Sequence, residues 1–438
     1  MATDHRYPID GSRDALWMDT AVPAPETKKL VGRGVRYDVA VIGSGFSGLN
    51  AALALAKSGK KVCVLEAAGL GFGASGRSGG QVNMGLNLGP DALIERFGAE
   101  QGKRLVEIIT RVPDTVFSLI KEHQLDCDPV QTGWVQGAVN SHFLSQQKQA
   151  QQEFDRNGLS MDVLDKDQVE GMTGTDTFVG GTFNSRAGSL HPLSYTRELA
   201  RVAIQIGADV FTNSPVKQLQ QTLDGWQLIS DEGEVNCEQV LVCTNGYTGD
   251  LITGLAKKIV PVRSILIASE PLSDNLRKTI LPNQVTLVDK RSLILYFRYD
   301  RDGRLCIGDH GPMRDAFTQS DFDNLKKRVL DVYPQLSNTR WDYHWGGRIA
   351  VTKDSLPFIE QLAPGMWAGM GYNGRGVGMG TVVGQTLAQL AMGQLPQESN
   401  FPVTKPKQFA MHRFHKAGVL MNIKWFELSD YLRRLQGD

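Results

Sequence analysis

Residues 37–66, YDVAVIGSGFSGLNAALALAKSGKKVCVLE, restrict the fold of this chain more than any other stretch. Val39, Val41 and Ile42 belong to an apolar run suited to a buried parallel strand. Gly43, Gly45 and Gly48 follow at once in G-x-G-x-x-G spacing, with Ser44, Phe46 and Ser47 between them. In such a turn the first glycine permits the sharp reversal and the second lets a pyrophosphate approach the backbone. The third lets the next helix lie close to the strand. N–H groups at the helix start then face the phosphates, reinforced by the helix dipole. A helix rich in alanine and leucine is predicted over 49–58, stopped by Gly59, and a second strand over 61–65. Glu66 stands eighteen residues beyond Gly48, where a carboxylate accepts hydrogen bonds from ribose hydroxyls. A lone glycine triplet is weak evidence. The full order of strand, turn, helix, strand and acid predicts a dinucleotide-binding unit, with a plain βαβ turn as the alternative.

After Glu66 and Ala67 the chain enters a glycine-dense run that reaches Asn83 with little apolar periodicity. Such a run suits a backbone wrapped round a large flat ligand; a flexible surface loop is the other reading. Its segment Gly73-Ala74-Ser75-Gly76-Arg77-Ser78-Gly79-Gly80 resembles the FAD-dependent amine and amino-acid oxidoreductases, the group of D-amino acid, glycine and sarcosine oxidases. Within that group it is most similar to the bacterial γ-glutamylputrescine oxidase and pipecolate oxidase branches. The resemblance implies that this loop lies over the pyrophosphate and the isoalloxazine ring. Gly73, Ala74, Ser75, Arg77, Ser78, Gly80 and Gln81 are then expected near FAD. It also implies cofactor contact at Val216 and at the strand end Thr244-Asn245-Gly246. Residues 371–380 place glycines ahead of another helix, a second anion-binding mouth. In the resembled family this mouth faces the flavin pyrimidine ring, which makes Gly374, Arg375, Gly376 and Val377 candidates. A solvated charge is the alternative for Arg375.

Bulk properties agree. A chain of 438 residues is too long for one simple core, so two domains are expected. Lysine plus arginine equal aspartate plus glutamate at 47 each, which argues against nucleic acid as a partner. No apolar run approaches the roughly 18 residues of a membrane helix, and the polar N-terminus does not read as a signal peptide. The five cysteines are scattered, and no C-x-x-C or Cys/His cluster points to a metal. Cys63, Cys243 and Cys306, inside predicted buried strands, read as small hydrophobes, and the chain reads as cytoplasmic and reduced.

The expected class is α/β: a Rossmann-like FAD-binding domain with an antiparallel-sheet substrate domain, the glycine and sarcosine oxidase arrangement. The FAD-binding domain is expected from 37–90, 186–255 and 345–395, and the substrate domain from 91–185 and 256–344. A leader, 1–36, is expected on the surface, and a helical tail, 396–438, on the body. Residues 90–121 predict two helices parted by Pro113. Residues 216–236 predict a three-stranded meander, and 239–243 a separate apolar strand.

The resemblance implies oxidation of a C–N bond. A neutral amine presents its α C–H to flavin N5, hydride leaves, and the imine hydrolyses, with no strong protein base required. His191 and His344 are candidate proton handlers, although a satisfied structural histidine is the favoured reading of each. Trp345-Gly346-Gly347-Arg348, followed by Thr352-Lys353-Asp354 and Pro357, resembles the stretch where glycine oxidase-like enzymes carry a carboxylate-binding arginine. Arg348 is therefore the carboxylate candidate, a structural arginine being the alternative. That role favours an amino acid such as pipecolate over a γ-glutamylputrescine or polyamine-type amine. Tyr296 and Tyr372 are candidate pocket walls, and Phe297 reads more simply as core. No cysteine follows Cys306, so the covalent flavin linkage of sarcosine oxidase-like relatives is not expected. Cys306, ahead of Gly308, stands where those relatives carry an oxygen-activating lysine, which leaves O2 or another carrier open as acceptor. Two readings of another kind remain: a flavin-binding protein without amine oxidation, and an NAD protein.

Overall fold

The computed structural model describes residues 15–314 and 316–435. Its first sheet has eight strands. Five run parallel in the order Met366–Met370, Gly233–Val242, Gly32–Ile42, Val62–Leu65 and Asp209–Phe211. The sequence dictates this centre, because Val62–Leu65 and Met366–Met370 are buried at every position, as strands covered on both faces must be. Phe358–Ala363 closes one edge antiparallel. The carboxyl ends of the central strands lead into Gly43, Glu66, Cys243 and Gly371, so four loops emerge on one side of the sheet. Ligands of open α/β sheets bind at that edge.

Two helices cover the same face, Phe46–Lys57 and Gly376–Ala391. They approach through glycine: a Cβ on Gly384 would stand 2.3 Å from the Ser47 carbonyl oxygen. The expected meander and the separate strand at 239–243 are joined. Gly233–Val242 is one strand that pairs antiparallel with Gly225–Ile229 through its first half and parallel with Met366–Met370 through its second.

The second sheet also has eight strands, from Trp341–Val351 at one edge through Val260–Pro271, Arg304–His310, Tyr296–Tyr299, Thr286–Lys290, Trp134–Ala138 and Gly180–Asn184 to Asp162–Leu164. It is antiparallel except for Thr286–Lys290 beside Trp134–Ala138, which run parallel. Its outer face packs on the helix Gln319–Val332 through Phe322, Leu325 and Val329, and Phe297 lies in that core as expected.

Three expectations change. The boundary placed at 345 cuts through a strand: Trp341–Val351 pairs with Val260–Pro271 along its length and belongs to the second sheet. Residues 90–123 form three helices, Pro90–Phe97, Ala99–Thr110 and Val112–His123. Gly98, at φ 81°, makes the first break, and Pro113 sits in the opening turn of the third helix, where a missing N–H costs nothing. The leader is not simply draped on the surface. Leu16–Thr20 is a short helix with Leu16 and Trp17 fully buried.

All five cysteines are buried thiols. Among the described residues, no helix is long and apolar enough to cross a membrane, and no cluster of metal-ligating side chains occurs.

Candidate active site

A cavity of about 1400 Å³ lies where the loops at the carboxyl ends of the parallel strands meet the inner face of the second sheet. It exceeds the roughly 300–1,000 Å³ that encloses a drug-sized ligand. Every expected cofactor position lines it except Gly48 and Gly246. Those two glycines are packing positions instead. A Cβ on Gly48 would lie 1.9 Å from the Gly43 carbonyl oxygen, and one on Gly246 would lie 3.2 Å from the Arg348 carbonyl oxygen.

At the nucleotide end, Gly43 adopts φ 102° and passes so close to the neighbouring strand that a Cβ would meet the Cys243 carbonyl oxygen at 2.9 Å. The Glu66 carboxylate accepts from Ser44 N at 2.9 Å, Ser44 Oγ at 2.8 Å and Ala68 N at 3.1 Å, which fixes it at the end of its strand. The helix Phe46–Lys57 carries no side-chain cap at Gly45, so its first N–H groups are open apart from Phe46 N, which donates to Ser75 Oγ at 3.0 Å. The helix Gly376–Ala391 is likewise uncapped by a side chain and starts on the same cavity. Two positive dipole ends thus face one space.

The glycine-dense loop between them is held from behind. Trp345 Nε1 donates to Arg77 O at 3.0 Å, and Trp17 Nε1 donates to Ser78 O at 2.9 Å. Arg77 stacks over Phe72, with its guanidinium 4.8 Å from the ring centroid. The Tyr296 ring rests on Gly79, where a Cβ would come within 2.7 Å, and its hydroxyl lies 2.9 Å from Ser264 Oγ. At the third loop, Asn245 Oδ1 accepts from Gly371 N at 2.9 Å and ties two of the mouths together.

Of the candidates for chemistry, Arg348, Tyr296 and Tyr372 line the cavity and His344 does not. His344 stands off the cavity, its ring 5.0 Å from Phe322 on the helix that covers the outer face. Tyr372 offers its ring, since its hydroxyl donates to Gly369 O at 3.1 Å. The Arg348 guanidinium stands 5.7 Å from the Tyr247 ring centroid. His191 is a structural cap: its Nδ1 accepts from Ser194 N at 3.1 Å and its Nε2 lies 3.0 Å from Thr20 Oγ1. Burial, then Arg298, lowers its imidazole to about 3, so it is neutral. Arg375 donates to Met84 O at 2.7 Å, and burial lowers its guanidinium to about 10.

The sequence reading missed Tyr247, Trp134, Gln136 and Lys290, all on the cavity wall. Period-two alternation through 286–290 was the available signal for Lys290, which follows Val288 on one face. The tail joins the wall too. The expected helical tail is α-helical over His415–Leu435, and Val419, Ile423 and Phe426 reach the cavity.

The fold and these contacts match a known group. The FAD dependent oxidoreductase family model matches residues 38–390. This chain belongs to that family. It is an enzyme, a FAD-dependent oxidoreductase of the kind that acts on amine or amino-acid donors. It is 32% identical to a probable oxidoreductase OrdL of Haemophilus influenzae over 404 residues, 90% of this chain and 92% of that one. It is 30% identical to the gamma-glutamylputrescine oxidoreductase of Escherichia coli, covering 82% of this chain and 84% of that one. Among solved structures, glycine oxidase from Geobacillus kaustophilus superposes with a TM-score of 0.72 at 20% identity, covering 85% of this chain and all of that one. That likeness concerns the fold.

The residues present fit FAD. Ser78 Oγ and Asn83 Oδ1 are buried on the wall with no hydrogen-bond partner among the described residues, two polar atoms suited to a polar ring edge. The glycines leave the width of a backbone-hugging dinucleotide, and Glu66 stands at a strand end suited to a ribose.

Proposed function

We propose that this enzyme oxidises the C–N bond of a small amine or amino acid that carries a carboxylate, with Arg348 as a carboxylate partner. FAD, when bound, takes up the two electrons lost as C–N becomes C=N. The chain's own contribution is binding and orientation. The uncapped helix starts at Phe46 and Gly376 stabilise negative charge along the dinucleotide and at the ring. The Tyr296 ring, seated on Gly79, and the Tyr372 ring wall the space in which a substrate carbon lies against the loop. Neither Tyr372, whose hydroxyl is committed to Gly369, nor the neutral capping His191 is placed as a base. On this reading the substrate reacts as the free amine, the form from which hydride leaves.

The observation that carries this reading is Arg348 on the wall of the same cavity that the three glycine-bearing segments line. A guanidinium forks onto a carboxylate and keeps its charge at any working pH. A cyclic secondary amino acid such as pipecolate is the compact candidate. The similarity to a gamma-glutamylputrescine oxidoreductase favours a second candidate, a longer amine of that type.

Anaerobic flavin bleaching against pipecolate, proline, sarcosine, D-amino acids, polyamines and γ-glutamylputrescine tests the reading. Bleaching by a carboxylate-bearing amine is expected, and Arg348→Met raises its half-saturating concentration about tenfold or more. Bleaching by polyamines alone, or an unchanged concentration in the variant, refutes the arginine's role. Peroxide release in air distinguishes O2 from another acceptor.

A further inference from the structure

The cavity holds a second cationic position to which the reading above gives no role. Alternation along Thr286–Lys290 puts Val288 and Lys290 on the cavity face and Leu287 and Asp289 on the other. Asp289 is occupied there, 2.5 Å from Arg291 Nε and accepting from Leu295 N. The adjacent strand Trp134–Ala138 pairs in register, Gln136 beside Val288 and Ala138 beside Lys290, so Trp134 and Gln136 share the cavity face. Arg375 arrives from the opposite domain, its guanidinium 5.5 Å from the Trp134 ring centroid. Trp134 is only 4% exposed, and its Nε1 has no hydrogen-bond partner among the described residues.

Among the described residues, no carboxylate pairs with either cation. Burial, then the charge of Arg375, lowers the Lys290 ammonium, and no acid acts on either group. Of the wall's three carboxylates, Glu66, Asp250 and Asp309, Glu66 is held by Ser44 and Ala68 and Asp309 by Arg328 and His310, and none of the three is among the charges that act on Lys290 or Arg375. Two like charges in an enclosed corner are poised to be relieved by an anion.

Lys290 is not a second hand of Arg348. The sheet order puts three strands between the strand of Arg348 and that of Lys290. At about 4.8 Å per strand the two backbones are roughly 19 Å apart.

We propose that Lys290 and Arg375, flanked by Trp134 and Gln136, bind a substrate carboxylate remote from the carbon that is oxidised. The inference rests on the amine-oxidising reading and narrows it: the substrate is an elongated amine with an acidic far end. The probe is glutarate, titrated calorimetrically into the FAD-loaded enzyme. Saturable binding is expected, weakened about tenfold or more by Lys290→Met and restored by Lys290→Arg. Absent binding to the wild type, or equal affinity in Lys290→Met, overturns the subsite. Anaerobic flavin reduction gives a second readout. The preference for γ-glutamylputrescine over putrescine is expected to fall about tenfold in Lys290→Met, and an unchanged ratio also overturns the proposal. A wild-type flavin that no amine reduces refutes the amine-oxidising reading, while the glutarate titration still decides the subsite.

Discussion

A methyl group on Gly48 would sit 1.9 Å from the Gly43 carbonyl oxygen, so the turn and the helix after it close only around a hydrogen atom. Gly48→Ala is expected to destabilise the protein by about 1–3 kcal/mol, the usual cost of overpacking. Thermal denaturation with and without added FAD checks this; a variant as stable as the wild type would contradict it. His191 gives a pH dependence. Its ring titrates near 6.5 when unfolded and at about 3 when folded. Below pH 6.5 the unfolded chain therefore takes up a proton that the folded chain refuses. The group's contribution is fully present above pH 6.5 and is lost as pH falls towards 3, amounting to about 2 kcal/mol at pH 5. His191→Asn, which keeps a capping acceptor, should flatten the fall in urea midpoint between pH 7 and 5. An identical slope in both proteins would show that His191 does not set the pH dependence. Residues of this kind were legible unevenly. The spacing of Gly43, Gly45 and Gly48 carries its own geometry, whereas the role of His344 depended on a strand register that no local pattern displays.

Among the elements, the loop at 73–81 depends on partners distant in sequence. Trp17 and Trp345 hold consecutive carbonyls, those of Ser78 and Arg77. Both donors lie on the side away from the cavity face, so the loop keeps its shape before any ligand arrives. Trp17→Phe preserves the ring but strands the Ser78 carbonyl, at about 1–3 kcal/mol. FAD affinity is expected to fall about tenfold with the far-ultraviolet circular dichroism unchanged; equal affinity by fluorescence titration would show the leader to be mere packing. The sequence displayed the strands and helices that have strong periodicity, the glycine-turn unit above all. It hid the leader's insertion because Leu16 and Trp17 form too short an apolar pair to announce burial. It hid the break at Gly98 because a glycine between two amphipathic helices reads as an interior residue as easily as a cap.

On the scale of the whole molecule, function arises where two sheets with different needs meet. The parallel sheet must be apolar throughout and exposes only its strand ends, so its loops carry the nucleotide contacts. The second sheet is apolar on its outer face against Gln319–Val332 and free to be polar on its inner face, which supplies Ser264, Gln136 and Lys290 to the cavity. Both architectures were foreseeable from the chain. The wall between them was not, because it is assembled from strands that are neighbours only in the sheet order. Segments 43–47, 73–81 and 374–377 are expected to enclose one flavin dinucleotide per chain without a covalent bond. The direct measurement is the flavin content of purified protein before and after acid denaturation. One FAD per chain, released intact into the supernatant, is the predicted result; a colourless chain that takes up no FAD, or a flavin that stays with the precipitated polypeptide, would contradict it.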